Sequence, residues 1–272
     1  MFDYSQDFSD VVKDAKVFFF DLDGTVYLGD NLFDGVIDLI RLLEKKNKFF
    51  FFLSNNSSKS TMDYLKKLNN MNLNITRENI ILSQHPTLDY LKKNDFEKIF
   101  LLGTESLKKE FLSEGFILTE QDPEILVLAF DQDLTYERLA RASYLLQNGI
   151  PYIATHLDDK CPTEEGYIPD AGGIAALLFK ATGRMPRVFG KPNKEMLLFK
   201  LQELEIHPQD AIMFGDRLYT DIKMGLEAGV VTCCVLSGEI SMEMIEENND
   251  YKPDFVIDGI WELFKILNYN EE

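Results

Sequence analysis

Two aspartates stand two residues apart where an apolar run ends, in FFFDLDGTVYLGD at 18–30. In extended backbone, positions i and i+2 face the same way, so Asp21 and Asp23 present both carboxylates on one side of a strand end. Gly24 permits a sharp exit from the strand, and Thr25 can hydrogen-bond the turned backbone. Ligand sites of open α/β sheets lie at the carboxyl ends of strands, where these residues would be. Taken alone, the segment also reads as a strand-end turn that holds two aspartates.

Three further segments end in chemistry of the same kind. FFFFLSNNSSKS at 49–60 runs into Ser54, Asn55 and Asn56 ahead of a helix, and a hydroxyl with amide hydrogens at a helix start suits phosphate oxygens. The same residues also serve as helix caps. VFGKPNKEM at 188–196 sets Lys191 between Gly190 and Pro192, a constrained turn, where a solvated surface lysine is the alternative. AIMFGDRLYTDI at 211–222 leads a strand to Asp216 and, five residues on, to Asp221, either of which could cap the following helix. Together these are four carboxylates, one lysine and one hydroxyl at expected strand ends. Carboxylates so gathered repel and take up protons unless a cation neutralises them, and hard oxygen ligands select Mg²⁺ over zinc or copper. The cation also answers a difficulty of charge. The chain carries a formal net charge of −18, so a phosphate ester needs a local positive field, which Mg²⁺ and Lys191 would supply.

The same net charge removes any general attraction to nucleic acid or to anionic lipid. The longest apolar runs, such as KVFFFDL, KFFFFLS and EILVLAF, stop far short of the roughly 20 residues a spanning helix needs. The acidic, polar start MFDYSQDFSD lacks the pattern of a secretory signal, and a cytoplasmic protein is expected. Cys161, Cys233 and Cys234 offer neither metal-ligand spacing nor an even-numbered disulfide framework.

Length and composition, 272 residues with 45% hydrophobic and 27% charged, suit one or two packed globular domains. Short apolar runs alternate with longer amphipathic segments, which predicts the α/β class, a parallel sheet with helices on both faces. Strands are expected at 16–20, 48–53, 99–102, 125–129, 151–154, 210–214, 231–235 and 255–257. Helices are expected in DGVIDLIRLLEKK, SKSTMDYLKKLNN, TYERLARASYLLQN and NKEMLLFKLQELE, where apolar residues recur at three and four.

DLDGT at 21–25, LSN at 53–55, GKP at 190–192 and GDRLYTD at 215–221 resemble, in order, the four motifs of the haloacid dehalogenase-like superfamily. The NNSSKS tail, FDQDLTYERLARASYLLQNG at 130–149, ATHLDDKCPTEEGYIPDAGG at 154–173 and KPDFVID at 252–258 resemble its NagD-like branch, which includes para-nitrophenyl and pyridoxal-phosphate phosphatases. The resemblance implies a Rossmann-like core at 1–82 and 188–272, an inserted α/β cap of class IIA at 83–187, and a cap-mediated homodimer. It departs at Ser54, where many members carry Thr, and in the cap. Many members there have ATN and PGAG where this chain has Ala154-Thr155-His156 and Pro169-Asp170-Ala171-Gly172.

By that resemblance and the chemistry above, Asp21 is the nucleophile and a metal ligand, forming an aspartyl-phosphate. Asp23 protonates the leaving alkoxide, then activates water, and its main-chain carbonyl completes the metal shell. Asp216 binds the metal, with Asp221 behind it or bridging through water. Ser54, the Asn55 main chain and Lys191 hold the phosphoryl group. His156 and Asp170 are the expected substrate contacts of the cap. The expected activity is Mg²⁺-dependent hydrolysis of a small phosphomonoester. A phosphotransferase differs only in the acceptor, and a catalytically silent metabolite-binding protein on the same fold is the alternative outside enzymes. A dehalogenase needs no acid at position 23, so Asp23 argues against one.

Overall fold

Strand Val17–Asp21 is buried from Val17 to Phe20 because a parallel strand pairs with it on each side, and only Asp21 at its end is partly exposed. The register runs from Val17↔Ala211 to Phe20↔Phe214 on one flank and from Val17↔Phe49 to Asp21↔Leu53 on the other. A strand in that position has no solvent face, which is why its sequence is a continuous apolar run rather than an alternating one. Phe18 and Phe20 stack with Phe214, whereas Phe19, pointing the other way, stacks on Phe51.

This computed structural model describes residues 8–163 and 165–268 and comprises two compact units. The first takes the chain through Ser54, Leu65–Ile81 and the chain from Leu197, and the second takes Asn55–Tyr64 and Leu82–Met196.

The first unit is built on a six-stranded sheet in the order Phe255–Ile257, Val231–Val235, Ala211–Gly215, Val17–Asp21, Phe49–Ser54, Ile80–Leu82. Parallel pairing brings carboxyl ends to one edge: Asp21 is level with Leu53, and Phe20 with Phe214, so Asp21, Ser54 and Asp216 leave the sheet together. Helix Val36–Lys45 covers it by burying Val36, Leu39, Ile40 and Leu43, one stripe at helical spacing.

The second unit has a five-stranded parallel sheet in the order Arg187–Val188, Tyr152–Ala154, Ile125–Leu128, Lys98–Leu102, Ile117–Leu118. Successive residues of one strand enter different cores. Ile99 and Leu101 pack with Leu91 and Phe111 from helices Gln84–Lys93 and Glu105–Ser113, whereas Phe100 and Leu102 pack with Leu146 and Leu178 from helices Tyr136–Gln147 and Ala171–Thr182. Three of these helices start at a side-chain cap: Thr104 accepts from Leu107 N–H, Thr135 from Arg138 N–H and Asp170 from Ala171 N–H.

The architecture is α/β, with parallel sheets and helices on both sides in the Rossmann-like manner. All eight strands expected from the sequence are present, with ends shifted by a residue or so. The structure adds Ile80–Leu82, Ile117–Leu118, Arg187–Val188 and two antiparallel hairpins, Tyr27–Leu28 with Asn31–Leu32 and Lys160–Thr163 with Gly166–Pro169. The expected insertion, 83–187, lies inside the second unit, which also takes in Asn55–Tyr64 and continues to Met196. Among the described residues no helix is long and apolar enough to cross a membrane.

Candidate active site

Past Asp21 the chain turns hard: Val26 and Tyr27 N–H both donate to Leu22 C=O, and Gly24 N–H donates to Tyr27 C=O at 2.8 Å. Gly24 takes φ +85°, a conformation open to glycine, so the turn closes directly on the strand end. Ser237 Oγ donates to Gly24 C=O at 2.6 Å and ties this loop to the segment after Val231–Val235. Tyr27 is buried and its hydroxyl donates to Asp23 Oδ2 at 3.3 Å, while Lys67 Nζ lies 4.1 Å from its ring centre. Asp23 reaches solvent, yet the protein packed around it and then the charge of Asp21 raise its pKa. Lys67, Tyr27 and Arg217 pull the other way.

Asp216 follows strand Ala211–Gly215, and Asp221 lies in the helical turn Leu218–Ile222; each is 1% exposed. Asp21, Asp216 and Asp221 offer oxygens that all lie within 4.8 Å of one another. Asp216 Oδ2 accepts Glu239 N–H at 2.8 Å, whereas its Oδ1 is buried with no hydrogen-bond partner among the described residues. Burial first, and the charge of Asp21 second, push Asp216 up to about 6. Three glycines leave the carboxylates their room. A Cβ on Gly24 or Gly238 would stand 2.4 or 2.0 Å from Asp216 Oδ2, and one on Gly215 would stand 2.3 Å from Asp221 Cβ. An all-oxygen set, with one oxygen buried and unmatched, fits a hard divalent cation such as Mg²⁺.

Ser54 ends the strand beside Asp21 and is buried. In the second unit Asn55 and Lys191 are joined. Asn55 Oδ1 accepts Lys191 N–H at 2.7 Å, and Asn55 Nδ2 donates to Lys191 C=O at 3.0 Å. Lys191 is 5% exposed and precedes a cis peptide to Pro192.

His156 is 0% exposed and fully engaged. Thr155 Oγ1 donates to Ser57 Oγ, which meets His156 Nδ1 at 3.3 Å, and His156 Nε2 donates to Asp170 Oδ1 at 2.9 Å. The same Asp170 oxygen accepts Ala171 N–H and caps helix Ala171–Thr182. Asp158 completes a second trio of possible ligands within 4.8 Å, but its carboxylate accepts from Asn55 and Asp170 is taken by His156 and Ala171. This trio is therefore a satisfied hydrogen-bond network. Sequence reasoning did not single out Tyr27, Asp158, Gly238 or Glu239. No spacing signals them, since Asn55 and Asp158 are 103 residues apart and Asp216 and Glu239 are 23 apart.

Residues 18–117 match the family described as haloacid dehalogenase-like hydrolase, and residues 188–263 match the HAD-hydrolase-like family. Acid sugar phosphatase of Staphylococcus haemolyticus is 30% identical over 247 residues, covering 90% of this chain and 93% of the relative. The crystal structure of a 4-nitrophenylphosphatase from Thermotoga maritima superposes with a TM-score of 0.89 at 42% identity, covering 94% of this chain and 98% of that one. A glycerol phosphate phosphatase from Mycobacterium tuberculosis, solved in complex with magnesium, has a TM-score of 0.83 at 25% identity, covering 93% of this chain and 77% of that one. The fold and the carboxylate site together are those of a phosphatase-type hydrolase. The chain belongs to the haloacid dehalogenase-like hydrolases, in the branch of NagD and the p-nitrophenyl phosphatases.

Proposed function

We propose that the protein hydrolyses small-molecule phosphomonoesters in a Mg²⁺-dependent reaction through an aspartyl-phosphate on Asp21. The observation that carries this reading is the buried Asp216 Oδ1, unmatched by any hydrogen bond within a set of three carboxylates spanning no more than 4.8 Å. Asp21, Asp216 and the Asp23 main-chain carbonyl would hold the ion, with Asp221 behind them or bridging through water. Bound there, Mg²⁺ neutralises the carboxylates and polarises the phosphoryl oxygens.

An Asp21 oxygen attacks phosphorus, forming the acyl-phosphate bond as the ester P–O bond breaks. Asp23 gives its proton to the departing alkoxide and then takes one from the water that hydrolyses the acyl phosphate. Burial and the nearby charge of Asp21 favour the protonated Asp23 that the first step requires. Ser54, the Asn55 main chain and Lys191 hold the phosphoryl oxygens, because this reaction is catalysed chiefly by positioning and charge neutralisation. Residues 83–187 act as a cap that restricts substrates by size and keeps water out. His156 and Asp170, whose side chains bond each other, shape substrate choice by fixing their loop rather than by the direct contact expected from sequence.

The names of the relatives support a panel of sugar phosphates, glycerol phosphate and 4-nitrophenyl phosphate. Phosphate release should occur on some members with Mg²⁺ and vanish with chelator. Full turnover in excess chelator would overturn the metal assignment, and no turnover of any ester with Mg²⁺ would leave a metabolite-binding protein.

A further inference from the structure

The Asn55 side chain grips both main-chain groups of Lys191, accepting from its N–H at 2.7 Å and donating to its C=O at 3.0 Å. Only one orientation of the amide does this. Turned over, it would set NH₂ against the Lys191 N–H and oxygen against the Lys191 carbonyl. The Asp158 carboxylate selects the productive orientation, because Asn55 Nδ2 donates to its two oxygens at 3.1 and 3.3 Å. A flipped Asn55 would point its own oxygen at that carboxylate. The surroundings leave little other freedom. Ser83 Oγ donates to Asn55 C=O at 2.7 Å, and Gly190 N–H donates to Thr155 C=O at 2.6 Å. A Cβ on Gly190 would meet Thr155 O at 2.6 Å, Asn55 Oδ1 at 2.7 Å and His156 Cβ at 2.9 Å.

We infer that Asp158 is a positioning residue for Lys191, acting through the Asn55 amide, and so tunes the grip on the phosphoryl group from a side chain that does not touch it. The inference rests on the reading above that Lys191 holds that group. Asp158→Ala frees the Asn55 amide to rotate, which loosens the Lys191 main chain while the carboxylates of the other unit keep their ligand set. Loss of a hydrogen bond to a charged group corresponds to about 10- to 100-fold in the equilibrium it biases.

The test is a double-mutant cycle on the full chain with Mg²⁺ saturating, reading kcat/KM for the best ester of the panel and competitive inhibition by inorganic phosphate. Asp158→Ala should lower kcat/KM and weaken phosphate inhibition by about 10- to 100-fold with an unchanged Mg²⁺ titration. Asp158→Asn, which keeps an acceptor for Asn55, should recover most of the loss. In a Lys191→Ala background Asp158→Ala should add nothing. Effects that multiply, or a loss in Asp158→Ala confined to melting temperature, would overturn the positioning role. Should Asp158→Ala fail to fold, Asp158→Ser carries the same cycle. If Lys191→Ala itself binds phosphate and turns over like the parent, the reading of Lys191 fails, and this inference with it.

Discussion

Gly238 lies so close to Asp216 that a methyl group on its Cα would stand 2.0 Å from Asp216 Oδ2. The close approach is what lets the next residue, Glu239, give its N–H to that same oxygen at 2.8 Å. One carboxylate oxygen is thus oriented by main chain, and the other, Oδ1, is buried with no hydrogen-bond partner among the described residues, the position from which it would hold the proposed cation.

Gly238→Ala should therefore act on the metal site. Its φ lies outside the left-handed region, so the added methyl works by crowding alone. Asp216 must turn away, and the Mg²⁺ concentration for half-maximal phosphate release should rise by about tenfold or more, the scale of changes to groups that orient ligands. A magnesium titration of the purified variant measures this. An unchanged midpoint would mean that Asp216 is not a ligand.

The position of Asp216 near 6 gives the metal a pH dependence. A folded-state pKa above the ordinary 3.8 contributes stability below about 4 that is lost as pH rises through 6, so the metal-free protein is penalised above 6. Mg²⁺ binds the charged form and offsets that penalty. The rise in melting temperature caused by Mg²⁺ should be small at pH about 5 and grow toward pH about 7.5, with affinity falling about tenfold per unit below 6. Calorimetry at three pH values checks both. A pH-independent shift would remove Asp216 from the coordination.

Asp170→Ala removes a helix cap and the partner of a buried histidine in one step. Cap loss is worth about 0.5–2 kcal/mol and an unmatched buried N–H about 1–3 kcal/mol. The variant should lose about 2–4 kcal/mol in denaturant unfolding, and its preference among esters should change through the moved loop. Asp170→Asn keeps the one oxygen that accepts both donors and should recover most of the loss. Equal rate loss on every ester by a folded Asp170→Ala would assign the cap a part in the chemistry.

The strands that position Asp21, Ser54 and Asp216 were legible because a parallel strand with neighbours on both sides writes its burial as an unbroken apolar run ending where the chemistry begins. Ile80–Leu82 and Arg187–Val188 are too short for any period to register. Helix Ala171–Thr182 reads apolar nearly all round, AGGIAALLFKAT, with Leu177 and Phe179 exposed, so its buried stripe does not stand out. The gathering of Asp21, Asp216 and Asp221 was legible because each is a carboxylate at or just past the end of a buried strand. What orients them was not, since Glu239 and Asp158 act on residues far along the chain, through a main-chain N–H and an amide orientation that no local pattern encodes.

The two aspartates of the DLD segment separate in their response to the same isosteric change. Asp21→Asn should abolish turnover and covalent phosphoenzyme with every ester, because an amide is a poor nucleophile. Asp23→Asn should depend on the leaving group. Release of 4-nitrophenolate needs little protonation, whereas an alkyl ester releases a basic alkoxide, so the first step should slow by about 10²–10⁴-fold more for the alkyl ester. The second step then fails for both, since position 23 also activates water. The aryl ester should give a single-turnover burst and a chain heavier by one phosphoryl group, read by rapid quench and intact-mass spectrometry. Tyr27→Phe supplies the graded case. Its hydroxyl stabilises charged Asp23 through the 3.3 Å hydrogen bond, so its loss should raise the Asp23 pKa further and move the alkaline limb of the rate profile to higher pH. Equal slowing of aryl and alkyl esters by Asp23→Asn, with no accumulated phosphoenzyme, would restrict Asp23 to holding the turn and the metal.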